Sequence, residues 1–158
     1  MKKLTIVAII FLAGIVSVNA QDYKTGIGVR GGWFSGLSIK HFISGQDAIE
    51  GVIATHYRGI MLSGMYQRHT LAFDTPGLNW YYGGGAHLGF YDRVNSPWFG
   101  SGRTGNFMTV GVMGVVGIEY KLEDIPVSIG FDITPALSII GVTQFWFSGG
   151  LTLRYTIE

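Results

Sequence analysis

From Pro126 to Thr134 the chain reads PVSIGFDIT. Val127, Ile129, Phe131 and Ile133 alternate with Ser128, Gly130, Asp132 and Thr134. Successive side chains of an extended chain point to opposite sides, so a repeat of two predicts a strand with one apolar and one polar face. The C-terminal stretch repeats the pattern. Phe147, Gly149, Leu151, Leu153, Tyr155 and Ile157 alternate with Ser148, Gly150, Thr152, Arg154 and Thr156.

Six earlier segments alternate less cleanly. They are roughly Thr25–Gly32, Gly36–Ile43, Ala48–Tyr57, Gly59–Phe73, Leu78–Phe90 and Met108–Tyr120. No helical period of useful length follows residue 20. The expectation is eight strands, most about 8 to 13 residues long, where a tilted strand that crosses a bilayer needs ~9–11.

The first 20 of the 158 residues are of another kind. Lys2 and Lys3 make a positive start, Leu4 to Val16 is an apolar run broken by Thr5 and Gly14, and Val18-Asn19-Ala20 puts small residues at −3 and −1 before Gln21. That is the pattern of a cleaved secretory signal peptide. The run is about 13 residues, short of the ~20 a spanning helix needs. One domain is expected over residues 21–158.

Without Lys2 and Lys3 the chain holds 9 Lys and Arg against 10 Asp and Glu, a net charge of −1. A nucleic-acid partner, which needs a basic face, is not expected. The absence of cysteine excludes a lipidated N-terminal cysteine. Charged residues are 19 of the remaining 138, well below the ~25% of ordinary globular domains, and glycine is 24 of 138 where ~7% is usual. An exported, apolar, alternating chain with an even number of such strands has the signature of an outer-membrane β-barrel.

The connections agree. With the N-terminus on the periplasmic side, the inner connections are Ser44–Asp47, Asp74–Gly77 and Leu122–Ile125, all short and turn-like. The longest stretches between strands, 91–107 and 135–145, both fall on the outer side and are expected as extracellular loops. Aromatic residues are expected at both membrane interfaces: Trp33, Phe34, Tyr57, Phe90, Phe107 and Trp146 outside, and Phe73, Trp80, Tyr120 and Tyr155 inside.

The leader, the eight alternating strands and the aromatic-alternating last strand resemble the small OmpA/OmpX-type outer-membrane barrels, the outer membrane protein beta-barrel domain family of Gram-negative bacteria. The resemblance spans residues 21–158 and is architectural. It implies an all-β, eight-stranded antiparallel up-and-down transmembrane barrel, porin-like in build, with salt bridges in its interior. Many such barrels end on phenylalanine, whereas this chain ends Tyr155-Thr156-Ile157-Glu158.

Strand phase sorts the polar residues. Arg30, Lys40, Glu50, Arg58, Glu119, Asp132 and Arg154 fall opposite the apolar face, as do His56, Gln67, His69 and His87. If the apolar face meets lipid, these point inward. An eight-stranded interior is just wide enough for side chains to fill it. Unpaired charges there would be costly, so acids and bases are expected to pair as structural packing. The strand glycines, among them Gly83-Gly84-Gly85, Gly111, Gly117, Gly130 and Gly150, would make room for the large side chains opposite and permit curvature.

Near the start of this region GIGVRGGW, Gly26 to Trp33, matches G-x-G-x-x-G. A dinucleotide fold needs a strand before that motif and a helix after it. Only Gln21–Thr25 precedes Gly26 and another strand follows Trp33, so the stretch suits a first barrel strand. No cofactor is expected.

An alternative is a barrel enzyme acting on lipid A. His56 and His87 near the outer end, Ser63 and Ser148 facing inward, and Asp92 at the loop start could supply a His–Ser pair. The histidine spacings fit no metal site. A third class, a soluble lipocalin-like barrel, would need the charges outside. The loop Asp92–Phe107 carries Arg93, Trp98, Phe99 and Arg103, a set suited to anionic sugars, lipopolysaccharide or an extracellular partner. Expected partners are therefore outer-membrane lipid and lipopolysaccharide, with the chain a monomer.

Overall fold

The computed structural model describes residues 23–56, 59–91, 106–141 and 143–158. They form eight strands: β1 Thr25–Gly32, β2 Ser35–Phe42, β3 Asp47–His56, β4 Gly59–Leu71, β5 Leu78–Tyr91, β6 Phe107–Lys121, β7 Val127–Ile140 and β8 Gln144–Ile157. Each pairs antiparallel with the next, and β8 returns to β1, so the sheet closes into a barrel. The closing register runs from Thr25↔Ile157 to Gly32↔Gly150. The described residues contain no helix.

One end of the barrel, the terminal end, holds Tyr23, Glu158 and the connections 43–46, 72–77 and 122–126. The turns are tied by their own backbone. Ile43 N donates to Asp47 O at 2.8 Å, Thr75 N to Ala72 O at 3.0 Å and Leu122 N to Val127 O at 2.9 Å. The opposite, loop end holds 33–34 and the strand ends at His56, Gly59, Tyr91, Phe107, Ile140 and Gln144.

Alternation sets the two faces. Along β7, Asp132 is 1% exposed while its neighbour Phe131 is 52% exposed. The outward face carries Ile27, Val29, Leu37, Ile39, Ile53, Ile60, Ile129, Leu151 and Leu153 among its exposed residues. The buried face carries Ser, Thr, Gln, His and charged side chains. This reverses the usual distribution of a water-soluble domain.

Two sequence expectations are corrected. The stretch 135–145 is not a loop: β7 continues to Ile140 and only 141–143 separate it from β8. Proline suggested a stop, but alternation persists past it, with Ala136 and Ser138 buried and Leu137 and Ile139 exposed. Pro135 is tolerated because the β6–β7 ladder, in unbroken register, skips from Met113↔Ala136 to Val116↔Ile133, so no bridge to β6 asks an N–H of it. Its ring fits where Gly114 has no side chain, 3.5 Å from where a Cβ would stand. Gly141, which follows β7, has a φ of +87° that suits glycine. The second correction concerns Phe34 and Trp146, expected in an outward aromatic ring. Phe34 is buried inside the barrel and Trp146 packs against it. Among the described residues, Trp33, Phe90, Phe145 and Phe147 are exposed aromatics at that end.

Candidate functional site: the charged lumen

At the terminal end, Tyr23 and Phe42 meet edge-on with ring centroids 5.1 Å apart and pack on Ala48. Just above them the His69 ring lies 4.8 Å from Phe42 and stacks on Tyr81 at 5.1 Å. Both ring nitrogens of His69 are buried without a hydrogen-bond partner, as is Gln67 Oε1.

The next layer is ionic. Arg154, on β8, is fully buried and reaches across the lumen to two carboxylates. Its Nη2 donates to Glu50 Oε1 on β3, its Nη1 to Glu119 Oε2 on β6 at 2.8 Å, and its Nε to Ser38 Oγ at 3.1 Å. Lys40 is the ladder neighbour of Glu50, yet its Nζ donates to Glu119 Oε2 at 2.9 Å and lies 3.9 Å from Glu50 Oε2. Lys40 Nζ also sits 4.3 Å from the centroid of the Tyr81 ring, a favourable cation–π placement. The remaining carboxylate lone pairs are taken up. Ser38 Oγ donates to Glu50 Oε1 at 2.6 Å, Gln67 Nε2 to Glu50 Oε2 at 2.5 Å, and the Tyr23 hydroxyl to Glu119 Oε1 at 2.5 Å.

A second pair lies beside this layer. Arg30 Nη1 and Nη2 grip Asp132 Oδ2 and Oδ1 as a two-pronged fork. The Tyr81 hydroxyl donates to Asp132 Oδ2 at 3.0 Å and Thr134 Oγ1 to Oδ1 at 3.2 Å. Gly150 leaves space for the guanidinium, since a Cβ there would stand 2.8 Å from Arg30 Nε, with Cζ and Nη2 closer still. Gly26 does the same for Arg154, whose Cδ would lie 3.1 Å from a Cβ at that position. The glycines of GIGVRGGW thus serve β1 packing. Arg30, Lys40 and Arg154 face Glu50, Glu119 and Asp132, so these six charges sum to zero. Paired and hydrogen-bonded charges are the form in which ionic groups tolerate burial.

The loop half of the lumen carries an apolar plug. Phe34, Val52, Ala54, Met61, Met65, Met113, Val115 and Ala136 form one buried cluster with Tyr81, and Trp146 packs against it. Phe34 and Trp146 rings stand 4.9 Å apart. His87 sits in this half, with Nε2 3.1 Å from Ser138 Oγ and its ring 5.7 Å from Trp146. This is a His–Ser pair on the buried face, turned away from the outward apolar surface. His56 is half-buried at the loop end against the rings of Trp33 and Phe34. Ser63 and Ser148 lie in the inward phase. Arg58, Asp92 and the loop residues Arg93, Trp98, Phe99 and Arg103 lie outside the described residues. Among the described residues there is no group of three or more metal-ligating side chains.

Sequence reasoning passed over Tyr23, Ser38 and Tyr81. The phase of Asn79 and His87 in β5 would have placed Tyr81 inward. Nothing in the period marked Tyr23, which precedes β1. The apolar plug left a trace as well: Val52, Met61, Met65 and Met113 occupy the same phase as the polar residues of their strands.

No family model matches the chain, and no curated protein matches it. The architecture defines a small closed eight-stranded antiparallel barrel. The N-terminal beta-barrel domain of Pseudomonas aeruginosa OprF, known from a crystal structure, is similar in fold, with a TM-score of 0.64 and 15% identity, over 83% of this chain and 93% of that one. At that identity the likeness is one of fold, and at that level the resemblance to the small OmpA-type barrels holds.

Proposed function

We propose that the chain is an integral outer-membrane β-barrel with a structural or surface-interaction role, exported by the leader at residues 1–20, with the loop 91–107 as its candidate extracellular contact. The observation that supports this best is the inversion of the barrel. A continuous outward face of Ile, Leu, Val and aromatic side chains surrounds a lumen of buried, paired charges. Water would expose that face as one large apolar patch, which soluble monomers avoid. Lipid would cover it, and a closed barrel leaves no unpaired strand edge in the bilayer. A lipocalin-like ligand carrier needs the opposite arrangement, an apolar interior and a charged exterior. An open diffusion channel needs ~16 strands, twice this number. The lumen, closed by Tyr23 and Phe42 at one end and by the Phe34–Trp146 plug at the other, favours a stability element over a pore.

Cell fractionation followed by gel mobility of unboiled and boiled samples tests the proposal. The expected result is recovery in the outer-membrane fraction with a heat-dependent mobility shift, the mark of a closed, detergent-resistant barrel. A soluble periplasmic protein without the shift would overturn it.

A further inference from the structure

Among the described strand residues, two charged side chains stand in the outward phase, Arg68 and Asp47, and they are ladder neighbours. Both lie at the terminal end, level with the first residue of β3. The opposite partner of Arg68 is Tyr82, and Tyr66 and Trp80 are exposed on the same face nearby. Tyr and Trp with a cation at one rim of an apolar belt is the composition of a bilayer interface. The Arg68 side chain is 48% exposed. Its Nη2 donates to Gln46 Oε1 at 2.9 Å, and its Nη1 lies 3.7 Å from Asp47 Oδ1, beyond hydrogen-bond length. Asp47 is itself engaged by Ser44 Oγ at 2.9 Å and by the Tyr66 hydroxyl. A guanidinium has five N–H donors in a rigid fork, so these two contacts fix Arg68 at the rim and leave donors for a ligand.

The surface beside it is shaped. Passing from Tyr66 toward the barrel middle, the next outward residue of β4 is Gly64, paired with outward Gly51 of β3. A Cβ at Gly64 would meet no atom within 4 Å, and one at Gly51 would meet only Ile39, at 3.5 Å. The two glycines make a shallow furrow between Ile49, Ile53 and Leu62, which are exposed around it.

Resting on the membrane reading above, we propose that Arg68, with Tyr82 beside it, forms a site for the phosphate of a glycerophospholipid headgroup, with an acyl chain lying in the Gly51–Gly64 furrow. Arginine is suited to this anion because its fork matches two phosphate oxygens at once. The furrow is what selects a lipid over free phosphate, since only a lipid carries an apolar chain to fill it.

Native mass spectrometry of the detergent-released barrel, after exposure to phosphatidylglycerol, tests the site. The wild-type chain should retain the lipid about tenfold more strongly than Arg68→Gln, the loss expected for a charge-assisted contact. Gly64→Leu should lower retention too, by filling the furrow. Lys24→Gln, which removes an exposed cation at the same end, should change nothing. Heat-dependent gel mobility is measured for every variant, so that failure of the membrane reading (no shift in the wild type) is seen separately. A normal shift with equal retention by wild type and Arg68→Gln would overturn the site. Displacement of the lipid by millimolar inorganic phosphate, or indifference to Gly64→Leu, would overturn the lipid as its ligand.

Discussion

In the terminal half of the lumen, Arg154 and Lys40 hold Glu50 and Glu119 through directed bonds between named atoms. In the loop half, a few residues further along the same strands, Met61, Met65, Met113 and Phe34 fill the lumen with apolar volume. β4 carries both: Gln67 donates to Glu50, while Met65 and Met61, two and six positions back on the same face, join the apolar cluster. The two layers fail in different ways. Removing one member of an ionic layer strands the others in a medium that solvates them poorly. Removing volume from an apolar layer leaves a cavity whose cost depends on how well neighbours close in.

The largest effect is expected from Arg154→Met. It keeps the bulk but leaves Glu50 and Glu119 facing one lysine, and should cost ~3–5 kcal/mol in urea unfolding of the barrel reconstituted in lipid vesicles. A cost below ~1 kcal/mol would mean that Lys40 alone balances the layer. Phe34→Ala should cost ~3–4 kcal/mol by the same measurement, because the Trp146 and His56 rings lose their shared contact. A double variant costing clearly less than the sum of the two would make the plug and the ionic layer one cooperative unit. Ile129→Lys carries the comparison to the outward face. On the membrane reading a cation there has lipid and no carboxylate, and should cost ~2–4 kcal/mol, read as slowed or blocked insertion into vesicles. Unimpaired insertion would contradict that reading. The smallest change is Met65→Leu, at under ~1.5 kcal/mol, since the plug asks for volume and flexible packing. A larger loss would mean that the apolar half, like the ionic one, depends on the exact shape of its side chains.

Much of this was legible in the chain. The alternation around Ile129 and Phe131, and again around Leu151 and Leu153, marks both faces, and the eight strand segments of the sequence follow from it. Strand ends differ by up to about two residues, except at Pro135, where the proline hid six residues of β7. The inward phase of Arg30, Lys40, Glu50, Glu119, Asp132 and Arg154 follows from the same period. Who pairs with whom does not. A period gives the face of a residue, while the height of a side chain in the lumen depends on the stagger of the strands. So Lys40 passes over its ladder neighbour Glu50 to bond Glu119, and Arg154 bridges strands that are nowhere adjacent in the sheet. The apolar plug escaped notice for a related reason: methionine and valine in an inward phase look like imperfect alternation until the barrel closes.

That closure has a consequence for how the chain reaches its folded state. The seam between β1 and β8 joins Thr25 to Ile157, the first and last strand residues of the barrel. Until that pairing forms, whatever hairpins exist present two open edges, each a template for pairing with another chain. The contacts of the seam span nearly the whole strand sequence, and contacts of such separation form late because the intervening chain must first be ordered. Arg154 sits on the closing strand, and its two carboxylates sit on β3 and β6. The ionic layer therefore stays incomplete until the last strand docks, and then gains its central cation in the same step that removes both edges. Closure is made all-or-none by chemistry as well as by topology, and a chain halted one strand short would hold buried acids without their main counter-charge.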